Sequence, residues 1–370
     1  MSLFQIDTGS EWRGGQRQAL LLARELRKRK YPVIMVVQPG SPLHDKAAAE
    51  KIPVLPIRVK GEAHLGAIYR IARAMKREGC RLAHFHDAHA VGVGGAAARR
   101  ADVPVRIISR RVEFPLRRNA FSRKKYTRDI DAVIAISESV RDVLLQGGIA
   151  PDKIEVIPSG IDFSPFEEAT DRGFLRREFG FADDDFLVGI VAHLEDSKGH
   201  RYLLEAARPL KARAPKMKFI IVGKGALELS LEERARGLGV DDIVYFLGFR
   251  EDIPRILASL DLFVLTSSSE GLGSSIMDAM ASRLPVVATM VGGIPELVKD
   301  GETGMLVLPR DPKSLADAIA CLYHDRALAR RLGDKGFEVV HRKFSAEAMA
   351  GRVIDLYEKF AAAKKVNLYA

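Results

Sequence analysis

The strongest constraint on the fold is an alternation, repeated along the whole chain, of short apolar segments with amphipathic helical segments. Strands that alternate with helices in this way form parallel sheets with helices on both faces. The pattern predicts an α/β fold with two doubly wound, Rossmann-like parallel sheets that face each other across a cleft. The predicted strands are 32–38, 54–59, 82–85, 105–109, 132–137 and 154–158 in the first half, and 186–192, 218–223, 243–247, 262–266, 285–289 and 305–308 in the second.

The boundary between the two sheets is predicted within residues 161–171, a segment that carries Pro165 and several acidic residues. This gives an N-terminal domain of residues 1–165 and a C-terminal domain of residues 166–345. Residues 346–360 show apolar positions at helical spacing, so residues 346–370 are expected to form a final helix that packs back toward the N-terminal domain.

The segment SEGLGSSIMDAMASRLP, residues 269–285, places two acids around a glycine-rich turn that leads into a helix. Gly271 and Gly273 permit positive φ and a close approach to the backbone, and Ser274 or Ser275 is expected to cap the helix. The N-terminus of a helix attracts anions, while the carboxylates of Glu270 and Asp278 accept hydrogen bonds from hydroxyls. A sugar nucleotide, which carries a diphosphate between two polyols, fits this combination. The alternative is a loop with a capping acid and a solvated aspartate.

Three other strand ends in the second half carry chemistry suited to a nucleotide. Lys198 precedes a helix and offers a compact cation for a diphosphate, although this motif taken alone favours a solvated lysine at a helix start. Gly223 lies in a short Gly-x-Gly turn after a strand, which is a weak signal. Phe249 follows Gly248 at the end of another strand, where exposed backbone could hold the edge of a base.

The first half contains two further candidate segments. Gly14 and Gly15 precede a predicted helix at 16–30, which makes either an anion site or a tightly packed turn. The segment HFHD ends a predicted strand, and strand alternation turns His84 and His86 to the same face. A His-x-His pair is also a possible metal site, but no third ligand is apparent, and no metal is expected.

The order GGQRQ, HFHD, VIPSGID, HLEDSKG, VGKG, FLGF and SEGLGSSIMDAM resembles the group 1 (family 4) retaining glycosyltransferases of GT-B fold. The resemblance extends from about residue 3 to residue 360 and is strongest over 186–309. It implies a metal-independent hexosyltransferase-type enzyme without a further cofactor. Its substrates would be a nucleoside-diphosphate sugar, held by the C-terminal domain, and a saccharide or lipid-linked acceptor, held by the N-terminal domain. The implied setting is cell-envelope glycan or lipopolysaccharide synthesis.

The resemblance also implies roles for individual residues. The predicted catalytic residues are His86, which lines the reacting face, Glu270, which contacts the transferred sugar, and Lys198, which stabilises the departing diphosphate. Two positions depart from the family pattern, because Asp278 replaces the usual Glu at the ribose diol and His193 replaces an Arg at the diphosphate. The predicted donor-binding residues are Gly14, Gly15, His193, Lys198, Gly223, Phe249, Glu270, Gly271, Gly273, Ser274, Ser275 and Asp278.

Charge is divided unevenly along the chain. Residues 1–165 hold 29 Lys and Arg against 17 Asp and Glu, a balance of +12, while residues 166–370 hold 29 against 31, a balance of −2. A basic first half favours an anionic partner, and we expect an anionic lipid-linked or phosphorylated acceptor or a membrane surface. The alternative is a solvated basic surface. Candidate membrane contacts are Arg117, Arg118, Arg123, Lys124, Lys125, Phe114 and Phe121.

Composition restricts the compartment and the class of protein. Two cysteines give no disulfide framework, no apolar run approaches the length of a membrane span, and the first residues show no export signal, so a cytoplasmic protein is expected. Nucleic acid is not an expected partner, because no basic stretch is interleaved with aromatic residues. A GT-B sugar-nucleotide epimerase, which needs no acceptor, and a non-catalytic basic binding protein remain the alternatives.

Overall fold

The computed structural model describes residues 2–116, 125–127 and 130–369, and its first unit is built on a seven-stranded parallel sheet. The strand order is β3-β2-β1-β4-β5-β6-β7, so the chain runs outward from β1 in one direction, returns, and continues from β4 in the other. The strands are β1 (Ser2–Ile6), β2 (Val33–Val37), β3 (Val54–Pro56), β4 (Cys80–Phe85), β5 (Val105–Arg110), β6 (Ala132–Ala135) and β7 (Ile154–Val156).

The helices of this unit cover both faces of its sheet. Several begin at a capping side chain, as at Asp87, whose carboxylate accepts hydrogen bonds from the N–H groups of His89 and Ala90. The helices are α1 (Gly14–Lys28), α2 (Pro42–Ala49), α3 (Leu65–Arg77), α4 (Ala88–Arg100) and α5 (Glu138–Gln146).

The second unit repeats the plan with a six-stranded parallel sheet in the order β10-β9-β8-β11-β12-β13. Its strands are β8 (Phe186–Val191), β9 (Met217–Val222), β10 (Val244–Gly248), β11 (Leu262–Leu265), β12 (Val286–Thr289) and β13 (Met305–Val307). Its helices are α6 (Ser164–Glu168), α7 (Phe174–Phe179), α8 (His200–Arg213), α9 (Glu228–Leu238), α10 (Ile253–Ser259), α11 (Ser274–Ala281), α12 (Ile294–Leu297), α13 (Pro312–His324) and α14 (Arg326–Lys343).

The final helix, α15 (Ala346–Ala363), belongs to the first unit although it follows the second in sequence. The first unit comprises Met1–Gly160 with Ala346–Ala370, and the second comprises Ile161–Ser345. Helix α15 packs beside α1, and its Tyr357 is fully buried in the same apolar cluster as Leu22 and Leu82. The fold of the first unit is therefore completed by a segment that follows the second unit in sequence.

The predicted fold class is confirmed: both halves form doubly wound parallel sheets, and the predicted strands are present with ends that shift by a few residues. The prediction omitted β1, the central strand of the first sheet. The polar side chain of Gln5 interrupts this run, yet Gln5 is fully buried. Missing this strand also meant that Asp7, the residue after its end, was not recognised as a candidate site residue.

Candidate functional site

The topology of each sheet marks one place where a ligand can bind. In doubly wound sheets this is the crevice outside the carboxyl ends of the strands, at the point where the strand order reverses. Strands β1 and β4 flank this point in the first sheet, and β8 and β11 flank it in the second. The residues that follow these four strands include Asp7, His86, His193 and Glu270. Three of these four were predicted as site residues from the sequence.

In the second unit, the structure brings Lys198 and Glu270 into direct contact. Lys198 ends a short 3-10 turn after β8, Glu270 follows β11, and the distance from Nζ of Lys198 to Oε2 of Glu270 is 2.6 Å. The hydroxyl of Ser267 donates to the same carboxylate at 3.2 Å. Both charged side chains are largely buried, with 21% and 15% of their surface exposed. The pair lies at the reversal point of the second sheet.

Two glycines allow the backbone near this pair to pack closely. Gly199 has φ +65°, and a Cβ built on it would lie 2.1 Å from the carbonyl oxygen of Thr266. Gly223 has φ +144°, and its Cβ would lie 2.0 Å from the carbonyl oxygen of Ala192, while its N–H donates to Gly248. A side chain at either glycine would push the strand ends apart. The structure thus gives Gly223 a packing role, and its N–H is already used within the protein.

Helix α11 begins beside Glu270 without a side-chain cap. Its N-cap is Gly273, with φ +96°, so Ser274 and Ser275 are its first helical residues and the expectation that one of them caps the helix is wrong. The carbonyl oxygen of Gly273 accepts the first hydrogen bond, from the N–H of Ile276. The first turn therefore presents backbone N–H groups at the positive end of the helix, which is a favourable arrangement for an anion.

The remaining predicted donor-site residues of the second unit lie around the same edge of the sheet. Asp278 lies one turn into α11, as its spacing predicted, and the structure shows that it is buried. Gly271, which joins Glu270 to the turn, is also buried. His193 follows β8, with Nδ1 3.7 Å from Oε2 of Glu195. Phe249 follows β10 with half of its surface exposed, at the outer edge of the sheet.

In the first unit, two aspartates organise the loop between β1 and α1. Asp87 accepts hydrogen bonds from the backbone N–H and the hydroxyl of Thr8 and also caps α4. Asp7 accepts hydrogen bonds from Nε2 of Gln16 at 2.9 and 3.1 Å and from the N–H of Gly9 at 2.9 Å. Burial, followed by repulsion from Asp87, raises the pKa of Asp7 to about 6.

Gly14 and Gly15 form the start of α1, which has no side-chain cap. A Cβ on Gly15 would lie 3.7 Å from Cδ of Arg111, an ordinary contact, so packing of that side chain does not require glycine there. Of the two interpretations left open by the sequence, the structure therefore gives no support to a tightly packed turn at Gly15.

His84 of β4 and His86, which directly follows this strand, lie on the same face, as the strand alternation predicted, and their rings are in contact. The centroids of the His84 and His86 rings are 4.2 Å apart. His84 contacts the hydroxyl of Tyr357 at 2.6 Å through Nδ1 and that of Ser109 at 2.8 Å through Nε2, while Nδ1 of His86 lies 3.3 Å from Nη2 of Arg111. Burial lowers the pKa of both imidazoles well below the usual value, so both are neutral.

Sequence reasoning missed four polar members of this buried cluster, which are Asp7, Ser109, Arg111 and Tyr357. The signal that could have found Ser109 and Arg111 is their alternation at the end of the predicted strand 105–109. Tyr357 gave no such signal, because an aromatic residue at helical spacing is typical of an ordinary core position. In the described ranges, no group of three or more His, Cys, Asp or Glu is placed to hold a metal ion.

Two of the seven predicted membrane contacts, Phe114 and Lys125, lie within the described residues. Arg117, Arg118, Phe121, Arg123 and Lys124 lie outside the described residues. Phe114 is 58% exposed. Lys125 is largely buried and forms an ion pair with Glu62, so it does not extend into solvent as a membrane contact would. Across the described part of the chain, no helix combines the length and apolarity needed to cross a bilayer.

Comparison with known proteins identifies the family. The profile of the family described as "Glycosyltransferase Family 4" matches residues 12–164, and that described as "Glycosyl transferases group 1" matches residues 171–339. The two profiles account for one structural unit each. The chain belongs to the group 1 glycosyltransferases. The resemblance read from the motif order is therefore confirmed.

Curated relatives within this group 1 family have diverse names. The chain is 34% identical to the "Putative glycosyltransferase EpsD" of Bacillus subtilis over 53% of this chain and 50% of that protein. It is 28% identical to the mannosylfructose-phosphate synthase of Agrobacterium fabrum over 76% of this chain and 64% of that protein, and 28% identical to the α-D-kanosaminyltransferase of Streptomyces kanamyceticus over 85% and 89%. The aligned part thus spans only half to two thirds of the first two relatives.

Solved structures confirm the GT-B fold of this group 1 protein. The Anabaena HepE protein in complex with UDP and glucose superposes with a TM-score of 0.86, at 24% identity, over 97% of this chain and 100% of that chain. The glycosyltransferase WaaG, described as involved in lipopolysaccharide biosynthesis, superposes with a TM-score of 0.74, at 15% identity, over 96% and 99%. At these identities the likeness establishes the fold alone.

Proposed function

We propose that this protein transfers a sugar from a nucleoside-diphosphate sugar to a saccharide or lipid-linked acceptor, with retention of anomeric configuration and without a metal ion. The observation that carries the proposal is the contact between Lys198 and Glu270 beside the uncapped start of α11. It places a cation, a carboxylate and helix N–H groups together at the reversal point of a doubly wound sheet. A diphosphate joined to a sugar needs these three kinds of group. The names of the relatives and the UDP and UDP-glucose complexes of the Anabaena neighbour support it.

In this proposal the second unit binds the donor. Departure of the nucleoside diphosphate builds negative charge on its oxygens, and Lys198 with the first N–H groups of α11 (Ser274 and Ser275) stabilises that charge. Glu270 orients hydroxyls of the sugar, and Asp278 accepts hydrogen bonds from the ribose diol. The other assigned donor contacts of this unit are His193, Gly271 and Gly273 on the phosphate side, Phe249 on the base side, and Gly223.

The first unit binds the acceptor, and its neutral His86 lines the reacting face. The reaction is proposed to proceed on the front face of the sugar without a covalent intermediate on the enzyme, as the resemblance to the retaining family implies. The departing diphosphate then takes the proton of the acceptor hydroxyl. A metal ion is not needed in this scheme, because Lys198 and the helix N–H groups neutralise the leaving group.

The acceptor is proposed to be anionic because the basic excess of the chain lies within residues 1–165. A phosphorylated or lipid-linked acceptor at the inner face of the cell membrane, in cell-envelope glycan or lipopolysaccharide synthesis, meets this requirement. Each basic residue near an anionic surface contributes about 1 kcal/mol, so three or four give reversible recruitment of a cytoplasmic protein. Co-sedimentation with anionic and neutral vesicles at two salt concentrations tests this part. Binding that ignores lipid charge would leave an acceptor free in solution as the better assignment.

The function is tested by incubating the protein with a panel of UDP-, GDP- and ADP-sugars, with and without acceptors, in the presence of a chelator. Products are followed by mass spectrometry, and the anomeric configuration is read by NMR. Acceptor-dependent release of nucleoside diphosphate, with the donor's configuration kept, supports the proposal. Isomerisation of a donor without any acceptor would instead identify an epimerase. Binding of anionic ligands without turnover of any donor would identify a non-catalytic protein.

A further inference from the structure

One face of the first sheet carries polar side chains in two neighbouring layers. Gln5 of β1 is in register with His84 of β4, and His84 bonds to Ser109 of β5. One pleat further along, Asp7, His86 and Arg111 follow the same three strands. Side chains two residues apart share a face, so the two layers stack on each other under α1 and α15. The rings of His84 and His86, with centroids 4.2 Å apart, are in contact and join the layers.

The inner layer is held by hydrogen bonds that fix the His84 ring. Burial raises the pKa of Tyr357 well above its usual value, so its phenol keeps its proton. Among the described residues, the phenol contacts only Nδ1 of His84, at 2.6 Å, and therefore donates to it. The proton of neutral His84 then lies on Nε2, which donates to the hydroxyl oxygen of Ser109 at 2.8 Å. The ring of His86 packs against this fixed ring of His84.

The outer layer fixes the tautomer of His86. A guanidinium group has donors but no acceptor, so Nδ1 of His86, 3.3 Å from Nη2 of Arg111, must accept. Neutral His86 consequently carries its proton on Nε2. His86 is then a hydrogen-bond donor at its other nitrogen, and it has no site left at which to act as a base.

The N–H at Nε2 of His86 lacks a partner within the described residues, although it is fully shielded from solvent. Buried donors in proteins are almost always paired, so this N–H calls for a partner beyond the residues that the structure describes. His86 directly follows β4, at the reversal point of the first sheet, where ligands of such folds bind. An oxygen atom of a bound substrate is the partner this position calls for.

We propose that Arg111 is a positioning residue that holds His86 as a neutral Nε2–H donor, so that His86 donates a hydrogen bond to an oxygen of the bound substrates. This inference rests on the proposed function for the identity of the substrate, but the tautomer itself does not depend on it. A neutral donor stabilises negative charge that develops on an oxygen without surrendering a proton. His86 therefore does not deprotonate the acceptor.

The charged and titratable groups around His86 support the same protonation state. His84 and Arg111 both oppose a positive charge on the ring, and burial opposes it most. Two carboxyl groups lie close by in the chain or the cluster. Asp7 has a raised pKa and accepts hydrogen bonds from Gln16 and Gly9. Asp87 accepts hydrogen bonds from Thr8 and from the first N–H groups of α4. Tyr357 stays neutral. Removing the guanidinium therefore leaves burial and His84 opposing protonation, and the pKa of His86 rises toward its usual value.

The direct test is NMR of the full chain labelled with ¹⁵N-histidine, which distinguishes the two neutral tautomers and the imidazolium by their nitrogen shifts. The His86 signals are assigned from their loss in His86→Gln. Wild-type His86 is expected as the Nε2–H tautomer across the neutral range. Arg111→Met should mix the tautomers and raise the pKa of His86. Arg106→Met, which removes a charge from the opposite face of the same strand, should leave the signals unchanged. A wild-type proton on Nδ1, or an unchanged His86 in Arg111→Met, overturns the proposal.

Activity supplies a second readout that separates a donor from a base. The amide of His86→Gln still places an N–H near Nε2, so this variant should keep turnover within about tenfold of wild type, whereas His86→Leu should lose about 100-fold. Arg111→Met should lose turnover most steeply on the acidic side of the pH profile, where His86 becomes charged. Loss of activity in His86→Gln as complete as in His86→Leu overturns the donor role. Failure of the wild type to transfer any sugar refutes the proposed function but leaves the NMR result standing.

Discussion

The substitution Lys198→Ala tests the proposed donor site most directly, because it removes one charge of an ion pair and leaves the other, Glu270, without that partner. In the structure, Lys198 is bonded to Glu270 at 2.6 Å, with both side chains mostly shielded from water. The variant removes the proposed cation from the diphosphate and leaves the Glu270 carboxylate facing that anion. A hydrogen bond to a charged group contributes about 1.5–3 kcal/mol. We therefore expect nucleoside-diphosphate affinity to fall about 10- to 150-fold.

The complementary change, Glu270→Gln, has the opposite expected effect on affinity. It releases Lys198 from its carboxylate and removes a negative charge near the diphosphate, so affinity for the free nucleotide should stay the same or increase. Turnover should nevertheless fall far more than the donor KM rises, because Glu270 is proposed to contact the sugar mainly in the transition state. The double variant should bind the nucleotide more tightly than Lys198→Ala alone, because it also removes the carboxylate that Lys198→Ala leaves facing the diphosphate. The effects of the two substitutions on affinity are therefore not additive, as is usual for residues in contact.

The assay is calorimetric titration of each variant with UDP, GDP and ADP at fixed ionic strength. Lys211→Ala is the matched control, because Lys211 lies in the same unit but pairs with Asp242 at an exposed site. It should bind as the wild type does. Equal affinity of wild type and Lys198→Ala for all three nucleotides would remove Lys198 from the site. Weaker nucleotide binding by Glu270→Gln would show that the carboxylate does not compete for Lys198.

Three further predictions concern the framework of the two sites. Tyr357→Phe leaves a buried imidazole nitrogen unpaired and should lower the free energy of unfolding by about 1–3 kcal/mol in urea titrations, while Tyr69→Phe, at an exposed tyrosine, should change it by less than about 0.5 kcal/mol. In thermal denaturation, Gly199→Ala should lower Tm markedly more than Gly239→Ala. The two glycines have φ of +65° and +67°, but only a Cβ at Gly199 would lie against a backbone oxygen. An equal decrease in Tm for both variants would show that the close packing around Gly199 does not require a glycine. The carboxyl of Asp7 has a raised pKa in the folded state, so its contribution to the free energy of unfolding is present at low pH and is lost as the pH rises from about 4 through about 6. Over that range, the free energy of unfolding of Asp7→Asn should therefore rise relative to that of the wild type. A difference that does not change with pH would refute this.

The sequence by itself determined the fold class and pointed to most residues of the candidate site. Strand and helix periodicity, turn glycines and helix starts are local, so they can be read from neighbouring residues. Lys198 and Glu270 were recognisable because each follows a strand and adjoins a turn that leads to a helix. Their direct bond was not foreseeable, because it joins residues 72 positions apart. The cap of α11 was predicted wrongly because φ at Gly273 let the turn end one residue earlier than the serines suggest.

Only the tertiary structure revealed the buried cluster around His86. Its members come from three strands and a helix, and the contact between Tyr357 and His84 spans 273 residues of sequence. Tyr357 looks like a core residue of an amphipathic helix, and it is one; its hydroxyl becomes significant only because α15 returns to the first sheet. Likewise, β1 was not predicted because Gln5, a buried polar residue, interrupts the apolar run by which a strand is recognised in a sequence. Local patterns specify which elements form, whereas the polar partners of a buried side chain are fixed only when parallel strands, distant in sequence, become neighbours in the sheet.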